Sequence, residues 1–96
     1  MVRATIEVKL GGYMLVFAIR DKRDNSYFQD IEQVSSVCGW ADLDNNVRTF
    51  DKPQQALKYM RYNFDWNKNL VVSAIEWNGQ TYEHVKDMYD CNGRLL

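Results

Sequence analysis

The chain has 96 residues, of which 46% are hydrophobic and 26% are charged. This length suits one domain with a real core, so we expect residues 1–96 to form a single folded unit. Its 12 basic and 13 acidic side chains give a formal net charge of -1. This balance argues against both a strongly basic nucleic-acid-binding protein and a strongly acidic mimic of DNA.

The start of the chain and its two cysteines indicate a soluble cytoplasmic protein. Hydrophobic residues after Ala4 alternate rather than run together, which favours neither a signal peptide nor a membrane span of about 20 apolar residues. Cys38 and Cys91 have no C-x-x-C spacing, so we interpret them as reduced thiols. Whether these two thiols approach one another stays open.

The first predicted element is a β-hairpin from Ala4 to Ile19. Gly11-Gly12 can adopt the positive φ values of a two-residue turn. The turn aligns apolar residues across the two strands, and the pairs are Leu10 with Tyr13, Val8 with Leu15, Ile6 with Phe17 and Ala4 with Ile19. Because side chains alternate along a strand, one face of this hairpin is apolar and must be covered.

The second strand of the hairpin is apolar on its other face as well. Met14, Val16 and Ala18 alternate onto that face. Either the C-terminal tail covers them or another chain does. In the second case these three residues are a predicted homodimer surface at the back of the sheet, with an uncovered edge strand as the alternative surface.

A polar turn from Asp21 to Asn25 follows, and Ser26 to Phe28 is a predicted third strand. Residues 29 to 40 suit a short helix and an extended edge equally well, and both alternatives stay open.

The clearest helix begins at Asp51. Its carboxylate can cap the helix, Pro53 lies in the first turn, and Gln54 completes a D-x-x-Q capping box. Apolar residues then recur at helical spacing to form one core stripe of Pro53, Ala56, Leu57, Met60 and Phe64. Asn67-Lys68-Asn69 is the predicted end.

A second hairpin closes the fold. Leu70 to Trp77 is a predicted strand, and Asn78-Gly79 turns Gln80 to Val85 back beside it with Ile75 opposite Tyr82. Residues 86 to 96 are ambiguous, with a turn at Cys91-Asn92-Gly93. We therefore predict an α+β fold: an antiparallel sheet of about five or six short strands with one main helix packed on one face.

The middle of the chain carries a short pattern of tryptophan, acidic and phenylalanine residues. Gly39-Trp40-x-Asp42-Leu43, then Val47-Arg48-x-Phe50-Asp51, then a capped helix with Ala56 resembles small phage and bacterial accessory proteins with a W-x-x-D-L, F-x-t, e-e-A pattern. The resemblance covers roughly residues 14 to 56, and the chain departs from the pattern at Asp42 and Asn46. It implies a small phage-type interaction protein, acting in a host cytoplasm, and supplies no active site.

Three groups of residues are candidates for a metal or catalytic site, and each is better explained without one. Asp42, Asp44 and Asn46 match the first ligand positions of a calcium loop, but the turn glycine and the bidentate glutamate are missing. Ser73 and His84 are predicted to face each other across the second hairpin without a third orienting group. Cys38 has no certain activating base. We therefore expect no enzyme activity, catalytic residue, metal or cofactor.

The helix carries aromatic residues where a solvent-facing helix is normally polar. On a helical wheel Tyr59, Tyr62 and Trp66 cluster opposite the core stripe, beside Lys58 and Arg61. Tyrosine, tryptophan and arginine are enriched at binding hot spots. We therefore expect a protein-protein interaction module, of the kind that inhibits or modulates a host protein complex, with these five residues contacting the partner.

The alternative function is single-stranded nucleic-acid binding. It would use the same aromatic rings for stacking and basic side chains for phosphate contacts, namely Arg20, Lys22, Arg23, Lys58, Arg61 and Lys68. The balanced total charge makes it the less favoured alternative.

Overall fold

The protein forms one antiparallel sheet with a helix packed against it, as a computed structural model shows for residues 14–29 and 39–96. The elements are β1 (Met14–Asp21), β2 (Ser26–Phe28), β3 (Trp40–Ala41), α1 (Pro53–Asn63), β4 (Leu70–Trp77) and β5 (Tyr82–Tyr89). The strand order is β3-β2-β1-β4-β5. The predicted α+β fold is therefore confirmed.

Strand β1 lies at the centre of the sheet, and its pairing differs from the predicted hairpin. One edge pairs with β4 along its whole length, from Met14 opposite Trp77 to Asp21 opposite Leu70. On the other edge, the N–H of Phe17 donates to the carbonyl of Phe50 (2.9 Å), whose N–H donates back (2.8 Å). The predicted pairing of Phe17 with Ile6 is thus wrong, because the backbone N–H and carbonyl groups of Phe17 are already bonded to Phe50. Residues 4–12 of the predicted hairpin lie outside the described residues.

The helix side of the sheet holds the larger core. Ile19, Phe28, Leu70 and Val72 from the strands enclose Met60, which is 1% exposed. Ala56 is also buried there, and Leu57 and Phe64 pack against the same core. The predicted apolar stripe of the helix therefore faces the sheet, and burying the Met60 side chain alone stabilises the fold by about 1.5–3 kcal/mol.

Both ends of the helix differ from their predicted positions. The amide oxygen of Gln55 accepts hydrogen bonds from the backbone N–H groups of Asp51 (3.1 Å) and Lys52 (3.2 Å). The capping glutamine is thus one residue later than predicted, and Lys52 rather than Asp51 is the N-cap. The helix ends at Asn63, where the N–H of Phe64 donates to Met60 (2.8 Å), so Trp66 lies beyond it.

A second apolar cluster occupies the opposite side of the sheet. Val16 and Ala18 are 7% and 0% exposed there, covered by Val47 and Leu43 from the loop after β3. The predicted homodimer surface is therefore wrong at Val16 and Ala18, because this chain's own loop covers them. Met14, the third predicted residue, is 56% exposed.

The second hairpin has its predicted first strand but another register. Strand β4 has the predicted bounds, whereas Trp77 faces Tyr82 and Ile75 faces His84. The side-chain oxygen of Asn78 accepts hydrogen bonds from the N–H groups of Gln80 (2.9 Å) and Thr81 (3.0 Å), which makes the turn wider than two residues. The predicted pairing of Ile75 with Tyr82 is therefore wrong.

The C-terminal residues fold back along β5. The carboxylate of Asp90 accepts from the N–H groups of Asn92 and Arg94, both at 2.9 Å, which forms the predicted turn around Cys91. The N–H of Leu96 then donates to the carbonyl of Met88 (2.8 Å). Cys91 is half-buried. Cys38 lies outside the described residues, and so the distance between the two thiols is not described either.

Candidate functional site

The outward side of the helix and the loop after it expose large aromatic residues. Tyr62 is 87% exposed and Trp66 is 71% exposed. Lys58 and Arg61 are exposed beside Tyr62, and within residues 14–29 and 39–96 neither of these two cations forms an ion pair. We call Lys58, Arg61, Tyr62 and Trp66 the outer helix surface. Its exposed aromatic area is of the kind found at binding sites.

Tyr59 does not belong to this surface, although the helical wheel placed it there. Its ring packs against those of Phe28 (5.6 Å between centroids), Phe50 (5.5 Å) and Phe64 (6.2 Å). The physical reason is that the segment before the helix is bonded to β1 through Phe50 and lies alongside α1. Tyr59 is therefore part of the packing of the monomer, and its prediction as a partner contact is corrected.

A groove of about 630 Å³ separates that segment from the helix. The guanidinium of Arg48 lies 5.3 Å from the ring centroids of both Phe50 and Tyr59, as cation–π contacts require. Lys58 and Tyr62 of the outer helix surface line the same groove, so it is continuous with that surface.

Basic side chains also lie beside Trp66. Arg23 and Lys68 line a smaller groove with Trp66, of about 360 Å³. One oxygen of Asp21 lies 3.5 Å from Arg23, whose side chain remains 68% exposed. The exposed aromatic rings are thus flanked by cations at both ends, which sequence reasoning missed because Arg23 lies far from Trp66 along the chain.

The other side of the sheet carries a polar cluster centred on Asp87. Its carboxylate accepts a hydrogen bond from the Ser73 hydroxyl (2.6 Å) and lies 3.2 Å from Nη1 of Arg20. His84 Nε2 lies 2.9 Å from the same carboxylate. Burial raises the pKa of Asp87, but the hydrogen bonds from Ser73 and His84 and the charge of Arg20 outweigh it and hold the pKa below its usual value.

This cluster does not form the predicted Ser73 and His84 pair. Strand register places Ser73 opposite Asp87, and the hydroxyl and the imidazole each bond to that carboxylate. A serine nucleophile needs its proton accepted by a base such as histidine. Here a carboxylate lies between the two and Ser73 is fully buried, so the geometry does not activate Ser73.

Asp42, Asp44 and Asn46, which match the first ligand positions of a calcium loop, lie in a turn. The carboxylate of Asp44 accepts hydrogen bonds from the side chain of Gln29 (3.1 Å) and the N–H of Asn46 (2.8 Å). Across the described part of the chain, no three His, Cys, Asp or Glu side chains are grouped as a metal ion would need.

The basic residues predicted to contact phosphate lie in different parts of the structure. Arg20 is bonded to Asp87 and to Asn25 (2.8 Å), so its charge is already compensated. Lys68 donates to the carbonyl of Asp65 (3.0 Å).

In residues 14–29 and 39–96, no helix has the length and apolarity needed to cross a membrane. No protein-family model, curated protein or solved structure matches this chain.

Proposed function

We propose that this protein is a small, non-enzymatic protein-protein interaction module that binds an acidic partner surface through the outer helix surface. The observation that carries the proposal is the exposure of Tyr62 (87%) and Trp66 (71%), with Lys58 and Arg61 beside Tyr62 free of ion pairs in the described part of the chain. Such rings combine large apolar area with a polar group, and their burial by a partner releases ordered water.

The charge around these rings supports an acidic partner. Lys58 and Arg61 flank Tyr62, and Arg23 and Lys68 flank Trp66. The exposed carboxylates nearby are fewer: Asp65 lies beside Arg61 and Tyr62, and Asp51 lines the groove with Lys58. Complementary charge at the rim of an interface speeds association and selects the partner.

The mode of action that we propose is occupation of a surface on a larger complex. The resemblance to small phage accessory proteins, carried by Trp40, Leu43 and Phe50, supports a phage-encoded inhibitor or modulator of a host protein complex. Such a role needs a stable scaffold and an exposed hot spot, and no active site.

The experiment is affinity capture from nuclease-treated bacterial lysate, with the captured protein identified and its affinity for wild type measured by calorimetry. Tyr62→Ala with Trp66→Ala should weaken binding by at least about 30-fold, since even a single hot-spot residue contributes about 2 kcal/mol or more. The side chains of Tyr62 and Trp66 are largely exposed, so we expect the variant to fold, which circular dichroism checks.

Met14→Ala is the control, because Met14 is 56% exposed and shares the sheet face of Val16 and Ala18, opposite the helix. Equal affinity of the double variant and wild type would refute the proposal, as would an equal loss in the Met14 control.

Single-stranded nucleic-acid binding remains the alternative, favoured by the grouping of Arg23 and Lys68 with Trp66. It predicts retention of oligonucleotides that weakens steeply with salt. Retention on oligo(dT) that falls with salt and is lost on Trp66→Ala, without any captured protein, would replace the first proposal with this one.

A further inference from the structure

The side of the sheet opposite the helix contains a second cleft, of about 450 Å³. Strands β1 and β2 form its floor, the residues after β3 form one wall, and β5 forms the other. Its lining combines a cation, a carboxylate, a phenol, an imidazole and one apolar side chain, which come from Arg20, Asn25, Tyr27, Asp42, Leu43 and His84.

Tyr27 contributes a buried phenol side chain to the lining of this cleft. The residue is 3% exposed, and its hydroxyl makes no hydrogen bond within residues 14–29 and 39–96. Buried polar groups are nearly always hydrogen-bonded, and leaving one unpaired costs about 1–3 kcal/mol. Burial raises the pKa of Tyr27, so the hydroxyl keeps its proton and remains a donor.

Arg20 lies beside Tyr27 in a fixed position. Residue 20 faces Tyr27 across the β1–β2 pair, and its Nε donates to Asn25 (2.8 Å) while Nη1 binds Asp87 (3.2 Å). The Nη2 group has no partner among the described residues. Two donors, one phenolic and one cationic, are therefore available and held in place before any ligand arrives.

Asp42 gives the opposite wall a carboxylate that has no hydrogen bond or ion pair in the described part of the chain. Because Asp87 compensates Arg20, the cleft does not carry an excess of positive charge that would hold a simple anion. A ligand with an anionic and a cationic group matches this distribution better than either charge alone.

We propose that this cleft binds a small zwitterion of the amino-acid class. The ligand's carboxylate accepts hydrogen bonds from the Tyr27 hydroxyl and the Nη2 group of Arg20, its ammonium group pairs with Asp42, and Leu43 contacts its apolar side chain. The site is separate from the outer helix surface, which lies across the sheet.

The test is titration of the ¹⁵N-labelled full chain by NMR with three related probes. L-leucine carries both charges, 3-methylbutylamine lacks the carboxylate, and 4-methylpentanoate lacks the ammonium group. We expect saturable shifts with L-leucine at the backbone amides of Tyr27 and Leu43. Each analogue should bind at least about 10-fold more weakly, because a hydrogen bond to a charged group contributes about 1.5–3 kcal/mol.

Tyr27→Phe keeps the packed ring and removes only the hydroxyl, so it should fold and bind L-leucine about 10-fold more weakly. Asp42→Asn should weaken the binding of L-leucine but not that of 4-methylpentanoate, and Asp65→Asn, whose exposed carboxylate lies beside the helix on the other side of the sheet, is the control that should weaken neither. The absence of saturable shifts in about 20 mM L-leucine would overturn the proposal, and it would indicate that the Tyr27 hydroxyl is simply hydrated. Equal binding of all three probes, or full affinity in Tyr27→Phe, would overturn it as well.

Discussion

Removal of Asp87 should destabilise the fold far more than removal of the serine it binds, although the two groups share one hydrogen bond of 2.6 Å. Ser73 is completely buried, whereas the Asp87 side chain is 27% exposed. Loss of the hydroxyl leaves Asp87 with two other partners and access to water. Loss of the carboxylate leaves a buried hydroxyl with nothing to donate to.

The magnitudes follow from that difference. Ser73→Ala removes one hydrogen bond, which costs about 1 kcal/mol. Asp87→Ala strands the hydroxyl, at about 1–3 kcal/mol, and also removes the counter-charge of Arg20, so its total cost is about 2–4 kcal/mol. In the double variant the hydroxyl is gone, so the serine substitution removes the penalty of about 1–3 kcal/mol for the stranded hydroxyl instead of costing about 1 kcal/mol. The two changes should therefore be non-additive by about 2–4 kcal/mol.

The assay is urea unfolding of wild type, both single variants and the double variant, followed by circular dichroism. Glu83→Ala is the control on the same strand. Among the described residues its exposed carboxylate accepts only from the Asn78 side chain (3.1 Å), so the variant should change stability by less than about 0.5 kcal/mol. Additive costs, or a Ser73→Ala variant less stable than Asp87→Ala, would show that the carboxylate does not organise this cluster.

Three further predictions test the pH dependence, the core and the helix start. The folded-state pKa of Asp87 lies below its ordinary value of 3.8, so its stabilisation is complete above that pH and is lost as pH falls. The stability difference between wild type and Asp87→Asn should accordingly shrink from pH 5 to pH 2 in urea titrations, and a constant difference would contradict the assignment. Met60→Ala, at a position 1% exposed, should cost about 2–5 kcal/mol in the same titrations, and a cost below 1 kcal/mol would show that the helix is loosely packed. Gln55→Ala removes the acceptor for two backbone N–H groups and should lower the melting temperature, with a cost of about 0.5–2 kcal/mol, whereas Gln54→Ala, at the sequence-predicted capping position, should not.

The helix stripe and strand β4 could be predicted from the sequence because both depend on local periodicity. Ala56 and Met60 recur at helical spacing, and β4 is a mostly apolar run, interrupted only by Ser73 and Glu76, as is typical of a strand buried on both sides. These patterns do not depend on which distant segment lies alongside. Consequently the helix and strand β4 were predicted correctly, although the strand pairing of β4 with β5 was not.

The polar cluster could not be predicted, because it depends on register. Irregularities between Val72 and Ser73 and between Ala74 and Ile75 shift the pairing of β4 with β5. With the wider turn at Asn78, they bring Asp87 rather than His84 opposite Ser73. Bulges add residues to one strand without a sequence pattern that reveals them. The one available signal was the placement of a serine in an otherwise apolar strand, since a buried hydroxyl requires an acceptor.

The same dependence on distant neighbours decides what the outer helix surface contains. A helical wheel treats every direction away from the sheet as solvent, but the segment bonded to β1 through Phe50 provides α1 with a second neighbour. Tyr59 therefore packs under Arg48, while Tyr62, three residues later, projects past that segment and stays exposed. Since Tyr59 stabilises the monomer, its replacement would confound any binding measurement with loss of fold. Tyr62 and Trp66 are consequently the positions at which partner binding can be separated from stability.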